Sequence, residues 1–146
     1  MTYKTVFTFR QELDDDPGFL HAMRSATLDP EEKVFGLKGT HGLVATEEWW
    51  ENIRNGIIRS ETKLGRIARI IDDDLEDSSP FSLIEFEDGS TKYEPNLANS
   101  PADQDLYQVG ARIRYLYAFD EGKSPDEFGK PRFIELILEV AICLET

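Results

Sequence analysis

Apolar and polar residues alternate with a period of two through most of the second half of the chain. In "PRFIELILEVAICL", Ile134, Leu136, Leu138, Val140, Ile142 and Leu144 fall on one side. Phe133, Glu135, Ile137, Glu139, Ala141 and Cys143 fall on the other. A helical wheel would scatter Glu135 and Glu139 through an apolar band, so the pattern predicts a strand over 132–144. "ARIRYLYAF" separates Ile113, Tyr115, Tyr117 and Phe119 from Arg112, Arg114, Leu116 and Ala118, and predicts a strand over 111–119. "KLGRIARIID" predicts another over 64–71. "FSLIEFEDGSTKYEP" predicts a hairpin of strands 81–87 and 90–94 turning at Asp88-Gly89.

The first sixty residues follow a different pattern. "YKTVFTF" (3–9) mixes β-branched and aromatic residues and reads as a strand. Asp16 as N-cap, Pro17 at the first helical position, and Phe19, Leu20 and Met23 at helical spacing predict a helix from 17 to about 26, ended before Pro30. "KVFGLKG" and "GLVA" read as short extended pieces broken by Gly36, Gly39 and Gly42. In "THGLVATEEWWENIRNG", Thr46 is an N-cap, Glu47 and Glu48 suit the positive helix start, Arg54 suits the last turn and Gly56 the C′ position. A helix this short is not stable alone, so its apolar stripe of Trp49, Trp50 and Ile53 must dock on the rest of the fold. That makes the adjacent tryptophans a structural clamp rather than a ligand platform.

Five strands in the second half point to a β-rich α+β fold, a small OB-like or SH3-like barrel carrying two short N-terminal helices. The chain reads as a single domain over 1–146, with an α/β part (1–60) and a barrel part (61–146). Three segments between the patterned stretches read as surface loops: "DDDLEDSSP" (72–80), "NLANSPADQD" (96–105) and "DEGKSPDEFGKP" (120–131).

Charge changes this picture most. The chain has 146 residues and a formal net charge of −13, from 16 basic and 29 acidic residues. The excess is uneven: residues 1–60 hold 7 basic and 10 acidic side chains, and residues 61–146 hold 9 and 19. Such a field repels phosphate backbones and anionic lipid and attracts basic proteins. The single cysteine, Cys143, excludes an internal disulfide framework and fits a reducing compartment. The N-terminus shows no basic region followed by an apolar one, and "FIELILEVAICL" is too short to span a bilayer. These features predict a soluble, cytoplasmic protein.

Candidate chemistry is sparse. His21 and His41 lie in different segments. "DDDLED" matches a calcium loop in charge only, because the required Gly and Glu are replaced by Asp77 and Leu83. No P-loop, dinucleotide fingerprint or nucleophile elbow is present, and Cys143 sits in a core-like strand. No cofactor, metal or enzymatic activity is expected. "RIRYLYAF" carries the aromatic and basic residues that single-stranded nucleic acid needs. Yet the alternation puts Arg112 and Arg114 opposite Tyr115, Tyr117 and Phe119, and the net charge opposes polyanions.

An acidic surface that binds a basic protein remains. Acidic inhibitors of basic enzymes, nuclease toxins above all, present carboxylates where the target expects phosphates, which speeds association. The candidate contacts are Asp72, Asp73, Asp74, Glu76 and Asp77 in the first loop, Glu85, Glu87 and Asp88 on the hairpin, and Asp120, Glu121, Asp126 and Glu127 in the last loop. The alternatives are a barrel that binds nucleic acid or a small ligand, or a protein with no such role whose acidity serves only solubility.

The stretches "GLVATEEWWENIRNG", "GRIARI", "EFEDGS" and "YQVGARIRYLYA" together resemble a group of small bacterial proteins with no assigned function. Its pattern is Gly-Leu, a short spacer, Glu-Trp-Trp-x-x-Ile-x-x-Gly, then a β-rich half with Tyr-x-Val-Gly. The matching positions are Gly42, Leu43, Glu48, Trp49, Trp50, Ile53, Gly56, Tyr107, Val109 and Gly110. The resemblance covers roughly 42–140. By size and charge such proteins are similar to bacterial immunity proteins, which neutralise a toxin delivered by neighbouring cells. That analogy implies binding to a basic toxin without catalysis.

Overall fold

The period-two segments assemble into one six-stranded sheet. The computed structural model describes residues 1–72 and 79–145. Its strands are β1 (Tyr3–Thr8), β2 (Arg59–Ile71), β3 (Phe81–Phe86), β4 (Thr91–Pro95), β5 (Arg112–Glu121) and β6 (Phe133–Cys143). The helices are α1 (Phe9–Asp15), α2 (Pro17–Leu28) and α3 (Glu47–Arg54), with a 3₁₀ turn at Pro101–Leu106. The sheet order is β1-β6-β5-β2-β3-β4. β1 pairs antiparallel with β6, β2 with β3, and β3 with β4.

The fold class is α+β and strand-rich, as expected, but the sheet is open and not a barrel. The N-terminal strand joins it by pairing with β6, which leaves β1 and β4 as its two edges. β4 spans only five residues and ends at Pro95, which has no N–H to extend a ladder. The segment leaving β4 covers the β1 edge instead. Asn99 donates its backbone N–H to the Val6 carbonyl at 2.9 Å. Its side chain accepts from the Thr8 N–H at 2.7 Å and donates to the Thr8 carbonyl at 3.2 Å. Lys4 pairs with Asp103 at 2.7 Å beside it. The 96–105 loop thus satisfies edge groups that would otherwise template pairing with another chain.

The chain divides into two compact units: Met1–Gln11, Thr62–Leu116 and Leu138–Thr146 in the first, Glu12–Glu61 and Tyr117–Ile137 in the second. The first unit buries Val6, Phe7, Ile67, Ile84, Phe86, Ile113, Tyr115, Val140 and Ile142. At Gly65 a Cβ would sit 2.6 Å from the Glu85 carbonyl, so β2 and β3 approach closely only because no side chain intervenes. Cys143 is buried, as a small hydrophobe in a strand should be, and its thiol donates to Glu145 at 3.1 Å.

The second unit is organised around the tryptophan segment. Asp16 caps α2 by accepting from the Phe19 N–H, and Thr46 caps α3 by accepting from the Trp49 N–H. Gly42 has φ +103°, and a Cβ there would lie 3.2 Å from the Trp49 nitrogen. The spacing from Gly-Leu to Trp-Trp therefore has a steric cause. Asn52 ties the helix back to the His41 carbonyl at 2.9 Å, and Arg24 of α2 holds the Val44 carbonyl at 3.0 Å. Trp49 is fully buried, and its indole Nε1 donates to Asp120 Oδ2 on β5 at 2.9 Å. Trp50 is half-buried and meets Trp49 edge to face, with ring centroids 4.7 Å apart. The clamp reading holds for Trp49.

Four expectations change. The segments 33–39 and 42–45 are turns and bends apart from a single bridge, Leu37 to Gly122. Residues 9–15 form a helix with Phe9 and Leu13, four apart, both buried. Along β5 the buried positions shift phase: Ile113, Tyr115 and Tyr117 are followed by Ala118 and Asp120, while Phe119 is half-buried beneath the Arg59 guanidinium. Leu144, assigned to the apolar side of the last strand, is exposed.

Replacing Trp49 by Phe removes the donor from a buried carboxylate, and urea unfolding is expected to show a loss of about 3 kcal/mol. The same change at Trp50 is expected to cost under about 1.5 kcal/mol. Equal losses at the two sites would contradict the distinction.

Candidate partner-binding surface

The twelve carboxylates singled out in the sequence do different things in the structure. Asp73, Asp74, Glu76 and Asp77 lie outside the described residues, and Asp72 is exposed beside them. Asp120 is not on the surface. It is 2% exposed, one oxygen holds Trp49 and the other accepts the Glu121 N–H at 2.9 Å, so it leaves the candidate contact set. Glu121 pairs with Lys38 at 3.0 Å. Asp126 builds the tip of its loop by accepting from the Phe128 and Lys130 N–H groups at 2.8 and 2.9 Å. Glu127, next in the chain, is exposed.

On the hairpin the Asp88-Gly89 turn forms as expected. Gly89 has φ +88°, and the Phe86 N–H meets the Ser90 carbonyl at 2.8 Å. Asp88 accepts from the Ser90 N–H at 2.8 Å and from its hydroxyl at 2.5 Å, and pairs with Lys63 at 3.2 Å. These donors, the Ser90 hydroxyl and N–H foremost, hold its carboxyl at about 2, below the ordinary 3.8. Glu85 and Glu87 are exposed on either side of Phe86. Among the described residues, the carboxylates of Asp72, Glu85, Glu87 and Glu127 are exposed and make no ion pair.

Two features escaped the sequence reading. The first lies in the second unit, where Phe35 and Phe128 are 74% and 78% exposed. Both sit on hydrogen-bonded turns. The Lys123 ammonium donates to the carbonyls of Ala26, Asp29 and Glu32. The Glu32 carboxylate accepts from the Val34 and Phe35 N–H groups at 3.0 and 2.8 Å, which lowers its pKa. An aromatic-Gly pair in each loop, "FG" at 35–36 and 128–129, was the only signal for them.

The second lies in the first unit: a groove of about 630 Å³ on the face of β2, β3 and β5. Arg66, Arg112 and Arg114 line it with Tyr3 and Phe86, and Glu85 and Glu87 also border it. The outward alternation of Arg112 and Arg114 was legible, whereas their meeting with Arg66 depends on strand order. Among the described residues no group of three or more His, Cys, Asp or Glu could hold a metal ion. No helix among them is long and apolar enough to cross a membrane.

Exposed charge of both signs and projecting aromatic rings are features that protein-binding surfaces use. The comparison with protein families gives that class a particular form. The family model described as "Immunity protein RhsI2" matches residues 3–143, and the chain belongs to the RhsI2 immunity-protein family. A comparison with curated proteins gives no match.

Because the folded pKa of Asp88 lies below its ordinary value, its contribution to the hairpin is complete above pH 3.8 and fades as the pH falls through about 2. A carboxyl NMR titration of Asp88 is expected to show a midpoint near 2, and Ser90→Ala is expected to move it upward. An unmoved midpoint would show that Ser90 is not the cause.

Proposed function

We propose that the protein is a non-enzymatic, cytoplasmic inhibitor that binds a basic toxin and neutralises it by covering its working surface. The observation that carries this reading is the match of the immunity family over residues 3–143. Three features of the molecule support it. The net charge of −13 draws a basic partner into encounter. Glu85 and Glu87 in the first unit and Glu127 in the second are exposed rather than spent on holding the fold together. Phe35 and Phe128, exposed on hydrogen-bonded turns, offer the aromatic anchors from which interfaces draw much of their affinity.

Within this reading the carboxylates steer association and set specificity, and the apolar anchors slow dissociation. The acidic 72–80 loop is proposed to add to the same field. Asp120 has a different place: it keeps α3 on β5 and touches no partner.

The test uses a toxin captured by pull-down with this protein from its native host, with association followed by stopped-flow fluorescence at low salt. Glu85→Lys with Glu87→Lys is expected to slow association about tenfold or more, and Glu127→Lys to act in the same direction. Phe128→Ala is expected to raise the dissociation rate with little change in association. Rates unchanged in every variant would remove these residues from the interface. A wild-type protein that forms no complex with that toxin would overturn the reading.

A further inference from the structure

We propose that the arginine groove of the first unit is an anion site that receives carboxylate side chains of the toxin, so that the interface pairs charges of both signs. The proposal rests on the inhibitor reading above and adds the chemistry of a second contact.

The groove is an anomaly of charge. Acidic residues outnumber basic ones 29 to 16, yet three guanidinium groups converge on one face of the sheet. Alternation explains part of this, because Arg112 and Arg114 are two apart on β5 and point the same way. Strand order supplies the rest. β2 lies next to β5, and the Ile67 N–H meets the Ala111 carbonyl at 3.0 Å, which brings Arg66 alongside. Among the described residues, the ion pairs are made by Lys4, Lys38, Arg54, Arg59, Lys63 and Lys92, and by none of these three. Glu85 and Glu87 stand at the border without an ion pair to them, so the repulsion among three like charges is left for an arriving anion to relieve.

The side chains are also held ready. The Arg114 guanidinium lies over the Tyr3 ring, 4.8 Å from its centre, in a cation–π contact. The Arg112 Nη1 lies 3.2 Å from the Met1 sulfur. A guanidinium so oriented loses less freedom when it binds an anion through two parallel N–H groups. The volume of about 630 Å³ admits several side chains, with Tyr3, Leu64 and Phe86 as apolar walls.

The neighbouring charges choose between anions. Glu85 stands opposite Arg66 in the β2–β3 register and is exposed, and Glu87 borders the same groove. With the net charge of −13 they oppose a continuous phosphodiester chain but tolerate a few carboxylates that enter between them. A protein acidic segment fits this groove, and a nucleic acid does not.

A short polyglutamate peptide is the probe, titrated into isotope-labelled protein and followed by NMR. Amides of residues 64–66 and 112–114 are expected to shift, and affinity to fall as salt rises. Arg112→Gln with Arg114→Gln is expected to weaken binding about tenfold or more. Glu85→Gln, a surface change that leaves the arginines in place, is expected to tighten it. An absence of shifts at these residues, or equal binding by the arginine variant, would overturn the proposal. So would tighter binding of a short oligothymidylate than of the peptide. Inhibition of the toxin separates this proposal from the reading beneath it. A wild-type protein that does not inhibit overturns both, and a double arginine variant that inhibits as well as wild type overturns the groove alone.

Discussion

The hydrogen bond between the buried Trp49 indole and the buried Asp120 carboxylate is the contact on which the second unit depends. It is 2.9 Å long and joins residues 71 positions apart. An eight-residue helix cannot hold itself together in water, so α3 exists because its buried ring is fixed to β5. A carboxylate shut away from water is in turn costly unless its oxygens are satisfied, and Asp120 uses one for Trp49 and the other for the next backbone N–H. Each partner removes the other's penalty. The loop that follows starts from this fixed point, and the Leu37–Gly122 bridge, the Lys38–Glu121 pair and the Lys123 ammonium extend the order outward to the turn that carries Phe35.

Net charge and contact surface are therefore separate matters. The acidic residues first considered as contacts include one that anchors the core, two that shape turns and one that pairs with a lysine. Of the others, the described Asp72, Glu85, Glu87 and Glu127 are exposed. The basic residues show the converse: few in number, three of them meet in one groove. A chain of −13 can present a local cationic site because side-chain alternation and strand order, not composition, decide which charges become neighbours.

This distinction also explains what was legible in the residues. The strands were, because a half-buried strand must alternate, and β3 with β4 turned at Asp88-Gly89 where the dipeptide demanded it. The caps at Asp16 and Thr46 located α2 and α3. Closure of the sheet was not legible, since five or six alternating strands are compatible with a barrel or an open sheet. The outcome was settled by β1 pairing with β6 and by Asn99 occupying its edge. Helix α1 was hidden by following β1 directly, although Phe9 and Leu13 stand four apart. Asp120 was misplaced because it opens a run of charged and turn-forming residues, and only its tryptophan partner, distant in sequence, reveals that it is buried.

The chain belongs to an immunity-protein family, and neutralisation of a toxin by direct binding is the function proposed for it. The most direct measurement is a titration of the purified toxin's activity with purified wild-type protein at concentrations far above the dissociation constant. The account predicts that activity falls in proportion to the protein added and is abolished at a fixed stoichiometric ratio, without turnover. Activity that is untouched by excess protein, or lost to catalytic amounts of it, would contradict inhibition by occupancy.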